Sequence, residues 1–464
     1  MNEIEKEILD DSYKEPSVAN MLSYGSAGFW SMFAYSVFGA YFFFFYEVAV
    51  GLDTILIALA MIIFTLWDAV NDPLIGYLTD RKTKFTKKLG KRFPWIVIGI
   101  LPANFVFALL FMPPLGASPI TLFWWIVITT CVFDSLVTLC MVNVSGLFPD
   151  KFRTDKARRK ATGYGTPLSM LALPASAIIP PLIITFENPA SYIPMAWLCV
   201  GILGIVSILL LPGMVENKEQ KERYFVSEET QESFMDALKS SLKQKSFVYY
   251  IILFFGFMVL VACLTASIPY AVFVVLEGSE FDAILLFAFY LNGTLISVPF
   301  WIIFAKKMKN NKKTATIGGF SCAIGTFITA FYIGLLDSLV FIFILGFTMG
   351  NLWVLIPVYF SDVLDERVIL TRSDVRGTTV GVANFFTRLS RGAQIAIFAI
   401  VHILTGFVEG AQAQSELAKI GIRLHMSVIP AIVLAICTLI FWKKYPLTSE
   451  ETYKIKMKLK ELGF

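Results

Sequence analysis

Charge and histidine are scarce in this chain. Only 16% of its 464 residues are Asp, Glu, Lys or Arg, and only two, His402 and His425, are histidine. Two histidines do not make a histidine metal cluster, and they argue against a histidine proton relay across a membrane; core or interfacial packing is the expected role of both. The six cysteines (Cys131, Cys140, Cys199, Cys263, Cys322 and Cys437) all fall in apolar segments without paired metal-ligand spacing, so they read as small core residues. There is no Gly-x-Ser-x-Gly elbow, no histidine cluster and no phosphate-cradling glycine loop, which argues against a lipid-cleaving enzyme and an ATP-driven pump. Residues up to Asn20 lack the basic start, apolar centre and small-residue cleavage site of a signal peptide, so the first apolar segment is expected to be retained. No basic face interleaved with aromatics points to nucleic acid.

What the chain has instead is apolar length. It is 56% hydrophobic and 15% aromatic, with a mean hydropathy of +0.69, beyond the range of soluble globular domains. Apolar runs of spanning length recur from Tyr24 onward and predict twelve transmembrane helices, including 54–78, 120–148, 161–185 and 377–407. The expected fold is all-α and integral to the membrane. It comprises a tail (1–23), a six-helix half (24–214), a linker (215–245), a second six-helix half (246–442) and a C-terminal tail (443–464). Within the linker, Ser227 is placed to cap a helix whose Phe234, Leu238 and Leu242 share one face, suited to the membrane surface or the ends of the spans. Lys and Arg concentrate in alternate loops, as in Arg81–Arg92, Lys151–Lys160 and Lys306–Lys313. That bias puts those loops and both termini in the cytoplasm, with the cell membrane as the default location.

Between Trp67 and Pro73 the chain reads Trp-Asp-Ala-Val-Asn-Asp-Pro. Asp68 and Asp72 are four apart and therefore share a helical face, with Asn71 beside them. Two ionised carboxylates so placed repel each other and lose hydration. They persist in a membrane if they face a cavity and share a cation or a proton, or if a neighbouring Lys or Arg caps them.

Gly76-Tyr-Leu-Thr-Asp80-Arg81 follows, then Gly90-Lys-Arg-Phe-Pro-Trp95. With Tyr24-Gly25, Phe45-Tyr46, Gly51-Leu52, Ser361-Asp362-Val-Leu-Asp365 and Arg376-Gly377, these segments resemble the glycoside-pentoside-hexuronide:cation symporters of the major facilitator superfamily. The likeness covers most of the chain. It implies two six-span halves rocking around a central cavity. It further implies a cation (Na+, Li+ or H+) at Asp68, Asn71, Asp72 and Thr138, with Asp68 and Asp72 the carboxylate ligands if the ion is sodium, and a conformational latch at Gly76, Asp80 and Arg81. Thr138 is also the kind of residue that bonds its own helix backbone.

Departures from the family pattern are informative. Asp134, one turn before Thr138, stands where the family has a small residue. It is expected to face the cavity as a further cation or substrate ligand, or to pair with a basic residue. The family's sugar-binding carboxylates fall at Met32 and Met141, and its stacking tryptophan falls at Ser145. Trp353 and Arg388 remain as candidate contacts. Arg388 suits an anionic group or a charge pair with an aspartate, and as a bland alternative it reaches the headgroups; Trp353 packs between helices in its bland reading. The expected function is cation-coupled symport of a sugar or glycoside, with an anionic amphiphile such as a lysophospholipid as the alternative and a transport-inactive receptor or scaffold as a third reading. No cofactor beyond the coupling ion is expected. The partners are the solute, the cation and the bilayer, and the unit is a monomer that is not an enzyme.

Overall fold

The computed structural model describes residues 15–79, 90–217, 234–371 and 376–461. Almost all of these residues are helical, and the only bridge outside helices among them joins Thr185 and Asn188. α1 (Val18–Phe44) runs into a π-helical turn, Phe45–Ala49, and is followed by α2 (Thr54–Thr79), α3 (Phe93–Leu110) and α4 (Pro119–Lys151). α5 (Asp155–Met170) and α6 (Ala172–Ile178) are two pieces of one bent span, broken where Pro174 has no N–H to offer the Met170 carbonyl. Then come α7 (Tyr192–Met214), α8 (Phe234–Lys243) and α9 (Lys245–Tyr270), which ends in the π-helical turn Ala271–Val275. α10 (Glu280–Met308), α11 (Asn311–Ile328), α12 (Leu335–Thr371) and α13 (Arg376–Thr405) follow. α14 (Glu416–Arg423), a third π-helical turn (Leu424–Val428), α15 (Ile429–Lys444) and α16 (Ser449–Glu461) complete the order.

Helix starts follow the local chemistry. Ser118, Thr154, Asn310 and Ser415 each accept an N–H from the first turn of the helix they precede, and Ser279 and Asp282 cap each other reciprocally at the start of α10. Among the described residues, eleven helical stretches are long and apolar enough to cross a membrane. The twelfth predicted span, 377–407, coincides with α13. That helix has 30 residues, but Thr378, Thr379, Asn384, Arg388 and Arg391 make its first half polar.

The chain forms two compact units, residues 1–38 with 66–229 and residues 39–65 with 230–464. The end of α1 and the start of α2 therefore belong with the second unit, a grouping the linear division at the linker does not anticipate. In the first unit, Gly99 lets α3 approach α4 so closely that a Cβ there would lie 2.6 Å from the Leu136 carbonyl oxygen. The Glu216 carboxylate accepts the backbone N–H groups of Lys91, Arg92 and Phe93 at 3.2, 2.9 and 3.1 Å, neutralising the positive N-terminal end of α3. In the second unit, Gly293 on α10 and Gly346 on α12 form an equally close pair, with a Cβ on either lying within 2.3 Å of a carbonyl oxygen of the other helix. The predicted linker helix, seen as α8, docks on α12. Arg367 donates to the Ser240 carbonyl at 3.0 Å, and Gln244, just after α8, donates to the Val363 carbonyl at 2.9 Å and to Glu366 at 2.8 Å. The predicted cap, Ser227, lies outside the described residues.

Candidate cation site

The second half of α2 and the middle of α4 build this site inside the first unit. Their 3.6-residue pitch puts Asp68, Asn71 and Asp72 within one turn of α2, and Asp134 and Thr138 within one turn of α4. Two cross-helix rungs join Asn71 and Asp72 to Asp134 and Thr138. The Asn71 amide Nδ2 donates to Asp134 Oδ2 at 2.9 Å, and the Thr138 hydroxyl donates to Asp72 Oδ1 at 3.0 Å. The Tyr35 hydroxyl on α1 approaches Asp134 Oδ1 at 3.5 Å. Asp68, Asn71, Asp134 and Thr138 are buried and Asp72 is half-buried.

The hydrogen bonds fix the Asn71 amide. Its NH2 must face the Asp134 carboxylate, since the opposite flip would set oxygen against oxygen. Its Oδ1 is then buried with no hydrogen-bond donor. Such an orphaned acceptor is costly, by about 1–3 kcal/mol, and an ion or water that the site exists to bind would relieve it. Carboxylate, amide and hydroxyl oxygens are the hard donors an alkali cation prefers. Among the described residues no three His, Cys, Asp or Glu side chains converge as a metal-holding group.

The remaining predicted residues are distributed over both units. Met32, three residues before Tyr35, and Met141, three after Thr138, are half-buried along the same helices, and Ser145 is exposed. Gly76 is half-buried on α2, while Asp80 and Arg81 lie outside the described residues. In the second unit, Trp353 on α12 is 36% exposed and meets Phe257 edge-on at 5.3 Å, and Arg388 is half-buried on α13. Tyr35 was not signalled by any spacing. Both histidines are buried, as expected, but they are also bonded to each other, Nε2 to Nε2 at 3.1 Å, which their separation in sequence did not suggest.

The sequence model for the MFS/sugar transport protein family matches residues 23–449. Sodium-dependent lysophosphatidylcholine symporter 1 of Gallus gallus is 26% identical, the match covering 89% of this chain and 83% of that protein. A Bacillus subtilis (strain 168) protein named uncharacterized symporter YjmB is 22% identical, with 96% of each chain covered. Among solved structures, a D-xylose-proton symporter superposes with a TM-score of 0.61 at 16% identity, covering 94% of this chain and 97% of that one. The nucleoside transporter NupG gives a TM-score of 0.60 at 11% identity, covering 92% and 99%. These structural likenesses establish the shared helical fold.

Proposed function

Because the chain belongs to the MFS/sugar transport protein family, we propose that it moves its solute together with a cation held by Asp68, Asn71, Asp72 and Thr138. The chain is a multi-pass membrane carrier working by symport and alternating access. The observation that carries the site assignment is the buried, donorless Asn71 Oδ1 among carboxylate and hydroxyl oxygens. Sodium is the preferred ion, since the named relatives include sodium-dependent symporters and the oxygens suit it. Lithium, or a proton on one carboxylate, is the alternative. Asp134 belongs to the site as a further oxygen donor or as the group that orients Asn71. We assign no cofactor beyond the ion and no enzymatic activity. A monomer in the cell membrane, with both termini cytoplasmic and a latch at Gly76, Asp80 and Arg81, completes the reading.

The solute is a sugar or glycoside by the family's description. A lysophospholipid-like amphiphile is the second reading. Met32, Met141 and Ser145 stand where sugar-hydroxyl contacts are expected, Arg388 suits an anionic group, and a relative is named a lysophosphatidylcholine symporter. The test is uptake into proteoliposomes under an imposed sodium gradient, with a panel of sugars, glycosides and lysophospholipids. Gradient-dependent accumulation of one class, lost in Asp72→Asn, supports symport and names the class. A panel that never accumulates favours the scaffold reading.

A further inference from the structure

The second unit contains a buried polar chain that the cation site does not use. Glu47 stands in the π-helical turn Phe45–Ala49, fully buried, and His402 Nδ1 lies 2.9 Å from its Oε1. His402 Nε2 and His425 Nε2 are 3.1 Å apart, and His425 Nδ1 is 2.8 Å from the Ser267 hydroxyl. Ser267 in turn donates to the Cys263 carbonyl at 2.6 Å. On the other side of Glu47, the Tyr270 hydroxyl donates to Oε2 and the Thr54 hydroxyl lies 2.5 Å from Oε1. The Thr54 hydroxyl is also 2.7 Å from Glu409 Oε1, on the half-exposed loop after α13. Glu47, Thr54, Ser267, Tyr270, His402 and His425 are all buried.

All three π-helical turns among the described residues meet this chain. One carries Glu47, one begins immediately after Tyr270 and one carries His425. Such turns displace a side chain from the regular helical ladder and recur at functional positions. The loops close around it as well. Gly410 donates its N–H to the Glu47 carbonyl at 3.1 Å, and Gly51 and Gly410, both at positive φ, pack against each other.

Proton accounting decides what the chain holds. A carbonyl cannot donate, so Ser267 gives its only proton to Cys263 and must accept from His425 Nδ1–H. The His425–His402 contact needs a second proton, and the His402–Glu47 contact needs a third. Two neutral imidazoles supply only two. The three side chains therefore hold at least one proton more than two neutral histidines and a carboxylate would, whether it sits on Glu47 or makes an imidazolium beside its carboxylate. Without it, either the Glu47 carboxylate faces an imidazole lone pair or the two Nε2 lone pairs face each other.

We propose that Glu47, His402 and His425 form a proton-binding site, separate from the cation site, that loads and unloads through Thr54 and Glu409. Glu409 suits the entrance. Burial alone would raise its carboxyl, but the Thr54 backbone and side-chain hydrogen bonds, its own N–H and the nearby His402 outweigh this and hold it below the usual carboxylate range. Other charged groups on these elements have partners of their own. Lys419 pairs with Glu277 at 2.9 Å, Arg423 lies over the Tyr332 ring and Asp53 caps the start of α2. Tyr46, beside Glu47, is buried. Bound proton ties the turn after α1 to α9, α13 and the turn before α15; its release breaks that tie.

Because the chain has only two histidines, nitrogen NMR of the isotope-labelled imidazoles in the full-length protein in lipid nanodiscs reads the site directly. Titrated from about pH 5 to 9, His402 and His425 should change together as one proton leaves, and a pH-indicator dye should count the same proton. Glu47→Gln should abolish both signals. Tyr270→Phe, the milder variant, removes a donor from the carboxylate and should raise the shared midpoint by about half a pH unit or more. Asp72→Asn should leave the titration intact, which separates this site from the proposed cation site. Two imidazoles that stay neutral across the range with no proton counted, or a titration unchanged in both Glu47→Gln and Tyr270→Phe, would overturn the proposal.

Discussion

Of the two buried polar clusters, one ends on an oxygen without a donor and the other is a chain of side chains bonded end to end. In the first unit, the Asp68–Asn71–Asp72–Asp134–Thr138 group is rich in oxygen acceptors and ends on Asn71 Oδ1, which has no donor. In the second unit, Glu47, His402, His425 and Ser267 form a continuous chain in which every contact needs a hydrogen. A donorless oxygen such as Asn71 Oδ1 is what a metal cation relieves, and a chain one hydrogen short of closure is what a proton completes. That contrast is the ground for proposing a metal cation at the first and a proton at the second.

The sharpest way to break that contrast is to neutralise one carboxylate. Asp72→Asn keeps the side chain's size and removes its charge, so sodium affinity by calorimetry should fall about a hundredfold, or about 2.7 kcal/mol, while the histidine titration is unmoved. Asn71→Ala removes both the donorless oxygen and the donor to buried Asp134. The two effects oppose each other in stability, each about 1–3 kcal/mol, so unfolding should shift little while sodium binding weakens. Thr138→Val removes one rung, the bond to Asp72, at about 1 kcal/mol, with a few-fold drop in sodium affinity. On the proton side, Tyr270→Phe should leave sodium binding within about twofold, because the two proposed sites are built from different residues.

The smallest effect concerns Glu409. Its depressed carboxyl contributes stability that is fully present above the ordinary value of 4.5 and is lost as pH falls through the lower folded-state value. Hydrogen exchange around Thr54 and the loop 406–415 should therefore quicken on acidification through that window, and Glu409→Gln should remove the dependence.

Helices and their number were close to readable because a lipid-spanning helix needs a long apolar run. α13 shows where that rule weakens, since its first half spends apolar positions on Thr378, Thr379, Arg388 and Arg391. Asp68 and Asp72 stand out through local spacing, whereas Thr138 entered through the family resemblance and Asp134 as a departure from that pattern one turn before it. The pairing of Asn71 with Asp134 was not legible, because the two are 63 residues apart and only the packing of α2 on α4 joins them. The histidine chain was hidden for the same reason: Glu47 and His402 are 355 residues apart. One signal was available, a lone glutamate inside the aromatic run Tyr41–Val50, where an ionisable group calls for a partner. The docking of α8 on α12 depends on Arg367 and Gln244, which carry no pattern in sequence.

If the oxygens of Asp68, Asn71, Asp72 and Thr138 hold a cation, as proposed, its binding is linked to that of the solute. The most direct test is sodium titration by calorimetry into purified protein and its Asp72→Asn variant, with and without sugars and lysophospholipids. Sodium should bind the unsubstituted protein about a hundredfold more tightly than the variant, and more tightly still when one solute class is present, with the reciprocal tightening of that solute by sodium. Sodium that binds neither protein at any pH would contradict the proposal.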